Sequence, residues 1–189
     1  MTSLLIVDCQ YDFISGALAC EGAEDAVRNI VAHIDACPDT MPHWSADWHG
    51  PSHCSFVPNG GRWPIHCVAG TRGAEIHAAF FRDVADPARR PSEATVYHKG
   101  TDDGREEYSA FEARNALGRT VAEDLDGDVT ICGIATEFCV RETVLAFLAA
   151  GRRTTVLADA LAWVDRAGHE RTLDELAARG VIVRGASRP

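Results

Sequence analysis

The sequence predicts a three-layer α/β/α fold with a central, mainly parallel sheet. Short apolar runs of strand length alternate with longer segments in which apolar residues recur at helical spacing. Two of the longer segments are followed by glycine, at Gly151 and Gly180, where a left-handed residue commonly ends a helix. Strands that alternate with helices pair in parallel and need cover on both faces, which indicates an α/β fold. No linker divides the 189 residues, so we expect one domain over residues 1–189.

The predicted strands are short apolar runs that recur through the whole chain. They cover residues 4–7, 41–45, 94–98, 129–134, 154–158 and 181–183. The predicted helices lie between consecutive strands and show amphipathic spacing. They cover residues 23–37, 73–81, 137–150 and 170–178, and a weaker helical stretch starts at residues 110–113 and fades towards Leu117.

The composition indicates a globular protein that binds neither nucleic acid nor a membrane. Apolar residues make up 46% of the chain and charged residues 24%, which is typical of a folded domain. The formal net charge is −10, and lysine and arginine form no cluster larger than a pair, which argues against nucleic acid and anionic lipid. The apolar run at residues 4–7 is too short for a signal peptide or a membrane span. We therefore expect a cytoplasmic protein, either a monomer or a homo-oligomer.

Chemically reactive residues follow four of the predicted strands. Asp8 follows the first strand, Asp47 and His49 follow the second, Lys99 follows the third, and residues 133–135 follow the fourth. Reactive groups in such sheets gather beyond the carboxyl ends of the strands, so we expect these residues to meet at one edge. Taken singly, Asp8 is also compatible with a helix cap or a surface turn, and Lys99 with a solvated loop.

Phosphate chemistry is disfavoured by the motifs that the chain lacks. The sequence contains neither G-x-x-x-x-G-K-[ST] nor G-x-G-x-x-G, the loops that cradle phosphates. An aspartate after a first strand can also accept a phosphoryl group, but Gln10, two residues after Asp8, supplies no second carboxylate for Mg²⁺. The acidic run over residues 101–107 is interpreted as a solvated face.

The segment SADWHGPSHCSF, residues 45–56, places one carboxylate and two imidazoles close together in the sequence. Gly50 and Pro51 interrupt it, so it is not expected to form a helix. In an extended segment alternate residues point the same way, so Asp47 and His49 can converge on a shared metal ion. The alternative is a solvated loop whose polar side chains have no common partner.

Cys139 differs from the other cysteines in its position. The chain has seven cysteines and no C-x-x-C motif, so most are expected to be buried free thiols in a reducing compartment. Cys139 lies where the predicted strand 129–134 turns into the predicted helix 137–150. Unpaired N–H groups and the helix dipole there favour an anion, so the thiol pKa, ordinarily about 8.5, is expected to fall to roughly 3.5–7.5. The same N–H groups suit an oxyanion. The alternative is a helical cysteine packed beneath the sheet.

Five segments of the chain together resemble those of one enzyme family. They are LLIVDCQYDF, DWHGPSHCSF, WPIHCVAGTRGAE, HKGTDDGREEYSAFE and GIATEFCV, in that order and over nearly the whole length. The chain resembles the nicotinamidases, of the pyrazinamidase/nicotinamidase type, in the isochorismatase-like cysteine hydrolase superfamily. The resemblance implies the fold of that superfamily and the hydrolysis of nicotinamide to nicotinate and ammonia through a Cys139 thioester.

The resemblance also implies roles for individual residues. In the family pattern the catalytic triad falls on Asp8, Lys99 and Cys139. The oxyanion hole falls on the N–H groups of Ala135 and Cys139, beside a cis peptide bond between Ile134 and Ala135. The substrate contacts fall on Phe13, Trp63 and Ile134. The metal ligands fall on Asp47, His49 and His66, with His53 as a further candidate. One divalent ion is implied, Zn²⁺ as first choice with Fe²⁺ and Mn²⁺ as alternatives, and it would position the pyridine ring.

The chain departs from the family pattern at three points, none of them in the triad, and other functions are weighed separately. Glu137 stands where aspartate is common, Cys9 stands where an apolar residue is usual, and the spacing between His49 and His53 is short. One alternative is a metal-independent amidohydrolase of the same superfamily that acts on a carbamoyl or ureido amide. An isochorismatase, which cleaves a vinyl ether, is disfavoured because it has no use for Cys139. A non-catalytic metal-binding protein would explain the ligands but not the triad residues.

Overall fold

A seven-stranded sheet organises residues 3–185, which a computed structural model describes. The strands are β1 Ser3–Val7, β2 Pro42–Asp47, β3 Val96–Lys99, β4 Arg114–Asn115, β5 Val129–Gly133, β6 Thr154–Leu161 and β7 Ile182–Arg184. Their order across the sheet is β4-β3-β2-β1-β5-β6-β7. Neighbouring strands are parallel except for β3 and β4, which are antiparallel. The predicted mainly parallel sheet is therefore confirmed.

Helices pack on both faces of this sheet. They are α1 Tyr11–Ile14, α2 Ala23–Ala36, α3 Ala79–Arg82, α4 Val121–Asp124, α5 Arg141–Ala149 and α6 Arg166–Ala178, with single 3₁₀ turns at Val57–Asn59, Arg72–Ala74 and Pro87–Arg89. Alternate residues of β1 belong to opposite cores, since Leu4 shares an apolar cluster with Ile30 of α2, whereas Leu5 shares one with Phe147 of α5. The predicted three-layer fold is confirmed. Within residues 3–185 no helix has both the length and the apolar character that crossing a membrane requires.

The helix predicted over residues 73–81 is wrong. The segment contains only the end of the 3₁₀ turn Arg72–Ala74 and the start of α3, with an isolated β-bridge from Ile76 to Gln10 between them. That backbone bonds to the chain after β1, because Tyr11 N donates to Glu75 O at 3.1 Å and His77 N donates to Cys9 O at 2.9 Å. Pairing with a distant segment therefore outweighs the local helical spacing.

The helical stretch predicted from residues 110–113 towards Leu117 is also wrong. This part of the chain forms the edge strand β4, in which Asn115 pairs with Tyr97 of β3. Helix begins only with α4, after a capping box. Thr120 Oγ1 accepts from Glu123 N at 3.1 Å, and Glu123 Oε2 accepts from Thr120 N at 2.8 Å. The sequence T-x-x-E at residues 120–123 is the signal for this helix start, which the helical spacing of residues 110–113 did not predict.

Thr120→Ala is expected to lower the free energy of unfolding by about 1 kcal/mol, because the first turn of α4 loses its side-chain cap. Urea unfolding followed by circular dichroism measures this change. Thr120 lies outside the pocket described below, so the kinetic constants are expected to stay unchanged. An unfolding free energy equal to that of the unchanged protein would show that the capping box does not stabilise α4.

The remaining predicted elements are present with shifted ends. β6 continues to Leu161, and α6 begins at Arg166 instead of residue 170 because the Asp165 side chain caps it, accepting from Gly168 N at 2.7 Å. The helix predicted over residues 137–150 starts as a π-helical turn at Thr136–Val140 and continues as α5.

Candidate active site

Three strand ends meet at the carboxyl edge of the sheet. Asp8 directly follows β1, Asp47 is the last residue of β2, and Lys99 is the last residue of β3. The parallel register of β2 and β3 pairs Asp47 with Lys99. All three side chains are buried, and Cys139 is only 7% exposed. The expected meeting of these residues at one edge is confirmed.

The Lys99 ammonium joins two carboxylates and the thiol. Its Nζ atom lies 2.9 Å from Asp8 Oδ2 and donates hydrogen bonds to Asp47 Oδ1 and, at 3.4 Å, to Cys139 Sγ. Ser45 Oγ donates to the other oxygen of Asp8, Oδ1, at 2.7 Å. An ammonium has three donors and no acceptor. Its hydrogen bonds go to Asp47, Cys139 and, at 3.5 Å, the carbonyl oxygen of Glu107, and Asp8 Oδ2 is held as an ion pair. The structure thus brings together the three residues predicted as a triad and adds Asp47 to them.

Burial controls the protonation of this cluster. It raises the pKa of the Cys139 thiol well above the ordinary value; Lys99 opposes the shift, and the Asp8 and Asp47 carboxylates reinforce it. Burial also raises the pKa of Asp8. Burial alone would lower the pKa of Lys99, but Asp47 and Asp8 raise it well above its usual value. The expected low thiol pKa is therefore wrong, because desolvation outweighs the attraction of the positive groups.

Cys139 lies in the π-helical turn Thr136–Val140 that precedes α5. Its carbonyl oxygen accepts a hydrogen bond from Thr143 Oγ1 at 2.6 Å. The peptide bond between Ile134 and Ala135 is cis, as predicted. Ala135 and Cys139 both line the pocket, whereas Ile134 packs in the apolar core. The oxyanion hole of Ala135 and Cys139 stays a prediction.

Asp47, His49 and His66 form a buried group that could hold a metal ion. One candidate ligand atom from each lies within 4.8 Å of the other two. His49 Nδ1 is 2.9 Å from Gly100 O, and His66 Nδ1 is 2.8 Å from Pro64 O. Because a carbonyl oxygen can only accept, Nδ1 carries a proton in both rings and Nε2 is left for a metal.

The ionisation of this group fits a divalent cation. Burial alone would raise the pKa of Asp47, but Lys99 and His49 lower it below its usual range, which keeps the carboxylate charged. Burial lowers the pKa of His66, which keeps that imidazole neutral. A charged carboxylate and neutral imidazoles are the forms that ligate metals, and Asp47 and His66 are in those forms. Burial alone would lower the pKa of His49, but the neighbouring Asp47 carboxylate raises it, so a metal ion competes with a proton at that ring. Two imidazoles and one carboxylate suit Zn²⁺ and leave a coordination position open.

His53 is fully buried beside this group, with its ring centroid 4.0 Å from that of His49. Its Nδ1 accepts a hydrogen bond from Ser55 N at 3.2 Å. In a neutral ring this places the proton on Nε2, so ligation through Nε2 requires the other tautomer. His53 therefore stays a predicted further ligand, outside the three residues whose ligand atoms converge.

A pocket connects the thiol to the candidate metal group. Its walls include Cys139 and the predicted substrate contacts Phe13 and Trp63, together with Asp47, His49 and His66. The Phe13 ring lies 5.4 Å from the His66 ring, centroid to centroid. Mostly apolar walls with a few converging polar groups are typical of small-molecule sites.

Two aromatic residues that line this pocket, Tyr108 and Phe138, were not predicted from the sequence. Tyr108 OH accepts a hydrogen bond from Trp63 Nε1 at 3.0 Å, and the Trp63 and Phe138 rings meet edge to face with centroids 5.0 Å apart. Tyr108 directly follows the acidic run of residues 101–107. An aromatic residue next to a charged run was the sequence feature that could have indicated a pocket residue there.

Comparison with known proteins identifies the family. The model of the isochorismatase domain matches residues 2–187. The chain is 31% identical to the nicotinamidase/pyrazinamidase of Mycobacterium tuberculosis over 192 residues, which cover 93% of this chain and 94% of that protein. The chain belongs to the nicotinamidases of the isochorismatase family. The resemblance inferred from the five segments is thereby confirmed.

Solved structures of nicotinamidase relatives share the fold. A pyrazinamidase of Pyrococcus horikoshii in complex with zinc has a TM-score of 0.81 and 34% identity, covering 96% of this chain and 97% of that one. PnC1 from L. infantum in complex with nicotinate has a TM-score of 0.79 and 32% identity, covering 97% of this chain and 91% of that one.

Proposed function

We propose that this protein hydrolyses nicotinamide to nicotinate and ammonia. The observation that carries the proposal is a single pocket lined both by Cys139 and by the Asp47, His49 and His66 group. Nicotinamide is a flat ring with a carboxamide and a ring nitrogen, so the pocket offers a nucleophile for one end and a metal-binding group for the other. The nicotinate bound to the L. infantum relative and the zinc bound to the P. horikoshii relative support this assignment.

In the first half of the reaction Cys139 Sγ attacks the carboxamide carbon and its proton passes to Asp8. The oxyanion is stabilised by the N–H groups of Ala135 and Cys139. When the C–N bond breaks, Asp8 returns the proton to nitrogen, ammonia leaves and Cys139 carries a thioester. Because burial raises the pKa of the thiol, transfer of its proton to Asp8 during the attack is favoured over a thiolate formed beforehand.

In the second half a water molecule attacks the thioester carbon and gives a proton to Asp8. The C–S bond breaks, Asp8 protonates the sulfur, and the acid is released. During the reaction the negative charge alternates between Cys139 Sγ and the Asp8 carboxylate. Lys99 Nζ lies 3.4 Å from Cys139 Sγ and 2.9 Å from Asp8 Oδ2. A permanently charged Lys99 therefore stabilises either location of that charge.

One divalent ion is proposed at Asp47, His49 and His66, with Zn²⁺ as first choice and Fe²⁺ or Mn²⁺ as alternatives, and His53 as a further ligand. A bound ion supplies a Lewis-acid position for the pyridine nitrogen. Phe13 and Trp63, which both line the pocket, are proposed to pack on the two sides of the pyridine ring. Ile134, also predicted as a substrate contact, is fully buried in the apolar core and is not among the residues that line the pocket. Tyr108 keeps the Trp63 indole in place through its hydrogen bond.

Two observations disfavour the alternative functions. A metal-independent enzyme for carbamoyl or ureido amides has no need for three buried, converging ligand residues. A non-catalytic metal-binding protein has no need for Lys99 between a buried carboxylate and a buried thiol.

The deciding experiment measures ammonia and nicotinate formed from nicotinamide by the purified, zinc-loaded protein. N-carbamoyl and ureido amides are assayed in parallel. We expect equal amounts of ammonia and nicotinate from nicotinamide, with little turnover of the other amides. Turnover of a carbamoyl amide without turnover of nicotinamide would contradict the proposal.

Asp8→Asn is expected to lower kcat/KM for nicotinamide by roughly 10³-fold, because general acid–base catalysis contributes about 10²–10⁴-fold and the amide cannot accept the thiol proton. Steady-state kinetics measure the loss, and the zinc content should not change. Asp39→Asn, at an exposed position before β2, is the matched control and should be fully active. An Asp8→Asn protein within tenfold of the unchanged protein would mean that another group moves the proton.

A further inference from the structure

Glu107 belongs to the acidic run that was interpreted as a solvated face, but its side chain is half-buried. Oε2 of Glu107 accepts a hydrogen bond from Gly100 N at 3.0 Å. The carbonyl oxygen of Glu107 lies 3.5 Å from Lys99 Nζ. Glu107 therefore contacts the last residue of β3 and the glycine that follows it.

Gly100 connects the Glu107 carboxylate to His49. Gly100 O accepts from His49 Nδ1 at 2.9 Å, so one glycine residue bonds to Glu107 with its N–H group and to His49 with its carbonyl group. Gly100 has a φ of +61°, and a Cβ atom there would lie 2.4 Å from Cε1 of His49. Only glycine fits against the ring. Glycine loses more conformational freedom on folding than any other residue, so hydrogen bonds to its N–H and carbonyl groups help to fix its conformation.

The acidic run, residues 101–107, contacts the loop of residues 49–54 at a second point. Asp103 Oδ2 accepts from Ser52 Oγ at 2.5 Å, and Asp103 O accepts from Cys54 N at 2.8 Å. The run is thus joined to the loop that begins with His49 by side-chain and backbone hydrogen bonds. It forms part of the support of the candidate metal group and is not simply solvated.

We propose that Glu107 is a positioning residue whose carboxylate fixes Gly100, so that the Gly100 carbonyl holds His49 in the orientation that metal binding needs. The inference rests on the proposed function, in which His49 is a metal ligand. Groups that hold the second nitrogen of a ligating imidazole typically contribute 10–100-fold to metal affinity or activity. Glu107 acts through one intervening residue, so we expect about a tenfold effect, the lower end of that range.

The test compares Glu107→Gln with Glu107→Met, which are both neutral and similar in length. Gln keeps an oxygen that can accept from Gly100 N, whereas Met offers only a weak sulfur acceptor. The Zn²⁺ dissociation constant of the metal-free protein is measured by competition with a coloured chelator, so enzyme activity does not enter. We expect it to rise about tenfold in Glu107→Met and to stay near the original value in Glu107→Gln. Glu112→Met, at an exposed position, is the control for lost charge.

Three results would overturn the role of Glu107. The first is an unchanged zinc affinity in Glu107→Met. The second is an equal loss of zinc affinity in Glu107→Gln and Glu107→Met. The third is a higher KM for nicotinamide with unchanged zinc affinity, which would assign Glu107 to the substrate. Circular dichroism confirms that each variant is folded. Failure of the proposed function is seen separately, as zinc-loaded unchanged protein that releases no ammonia. Unchanged protein that binds no zinc would overturn the metal group and, with it, the role of Glu107.

Discussion

Cys139→Ala is expected to lower kcat for nicotinamide hydrolysis by about 10⁶-fold, because the atom that forms the covalent bond is lost and the rest of the catalytic unit cannot act without it. The protein should remain folded and should bind as much zinc as before, since Cys139 is not part of the proposed Asp47, His49 and His66 metal group. Cys139 also converges with Asp8 and Asp47, but the Lys99 ammonium already lies against all three of those residues. Ammonia release at high enzyme concentration measures the residual rate, and circular dichroism and zinc content test the fold and the metal group.

The matched control is Cys37→Ala, which removes a partly exposed free thiol at the end of α2. This variant is expected to keep full activity. Rapid quenching of the unchanged protein with nicotinamide, followed by mass spectrometry, should show a nicotinoyl group on the peptide that contains Cys139. A Cys139→Ala protein that keeps more than a small part of the original rate would refute the thioester mechanism.

The zinc-loaded protein is expected to hydrolyse nicotinamide with a kcat/KM about 10⁴-fold above that for benzamide. Benzamide has the same shape and the same carboxamide, but it lacks the ring nitrogen and leaves a polar site without its partner. Sites built around such a contact discriminate by factors of about 10⁴ against analogues that lack it. Picolinamide and isonicotinamide keep the nitrogen at a different distance from the carboxamide, so they are also expected to be poor substrates.

His49→Ala should reduce this preference for nicotinamide, because both amides then meet a pocket without the complete metal group. The measurement is kcat/KM for nicotinamide and benzamide in the unchanged protein, in His49→Ala and in His77→Ala, whose histidine lies outside the pocket. His77→Ala should keep the full preference. Equal kcat/KM values for the two amides in the zinc-loaded unchanged protein would show that no metal contact selects the ring nitrogen.

Elements whose side chains bury one face through a continuous local pattern were predictable. The apolar run at residues 4–7 is found in β1, and the amphipathic segment 23–37 is found as α2 with nearly the same ends. Residues 73–81 and 110–117 also carry helical spacing, but their backbone groups bond to the segment after β1 and to β3. A periodic pattern of apolar residues indicates which side chains can be buried on one face, but it does not indicate which distant backbone groups a segment will hydrogen-bond to.

By itself the sequence determined which chemical groups lie at the strand ends. Asp8 follows the apolar run of β1, and Asp47 and Lys99 are the last residues of β2 and β3. Short apolar runs of this kind are typical of buried parallel strands. Only the tertiary structure decided how these groups act on one another. The register of β2 and β3 places Asp47 on the same ammonium as Asp8. Burial raises the pKa of Cys139, and Glu107 reaches the glycine that holds His49. Protonation and hydrogen-bond partners depend on excluded water and on charges brought in from distant parts of the chain, and no local pattern specifies either.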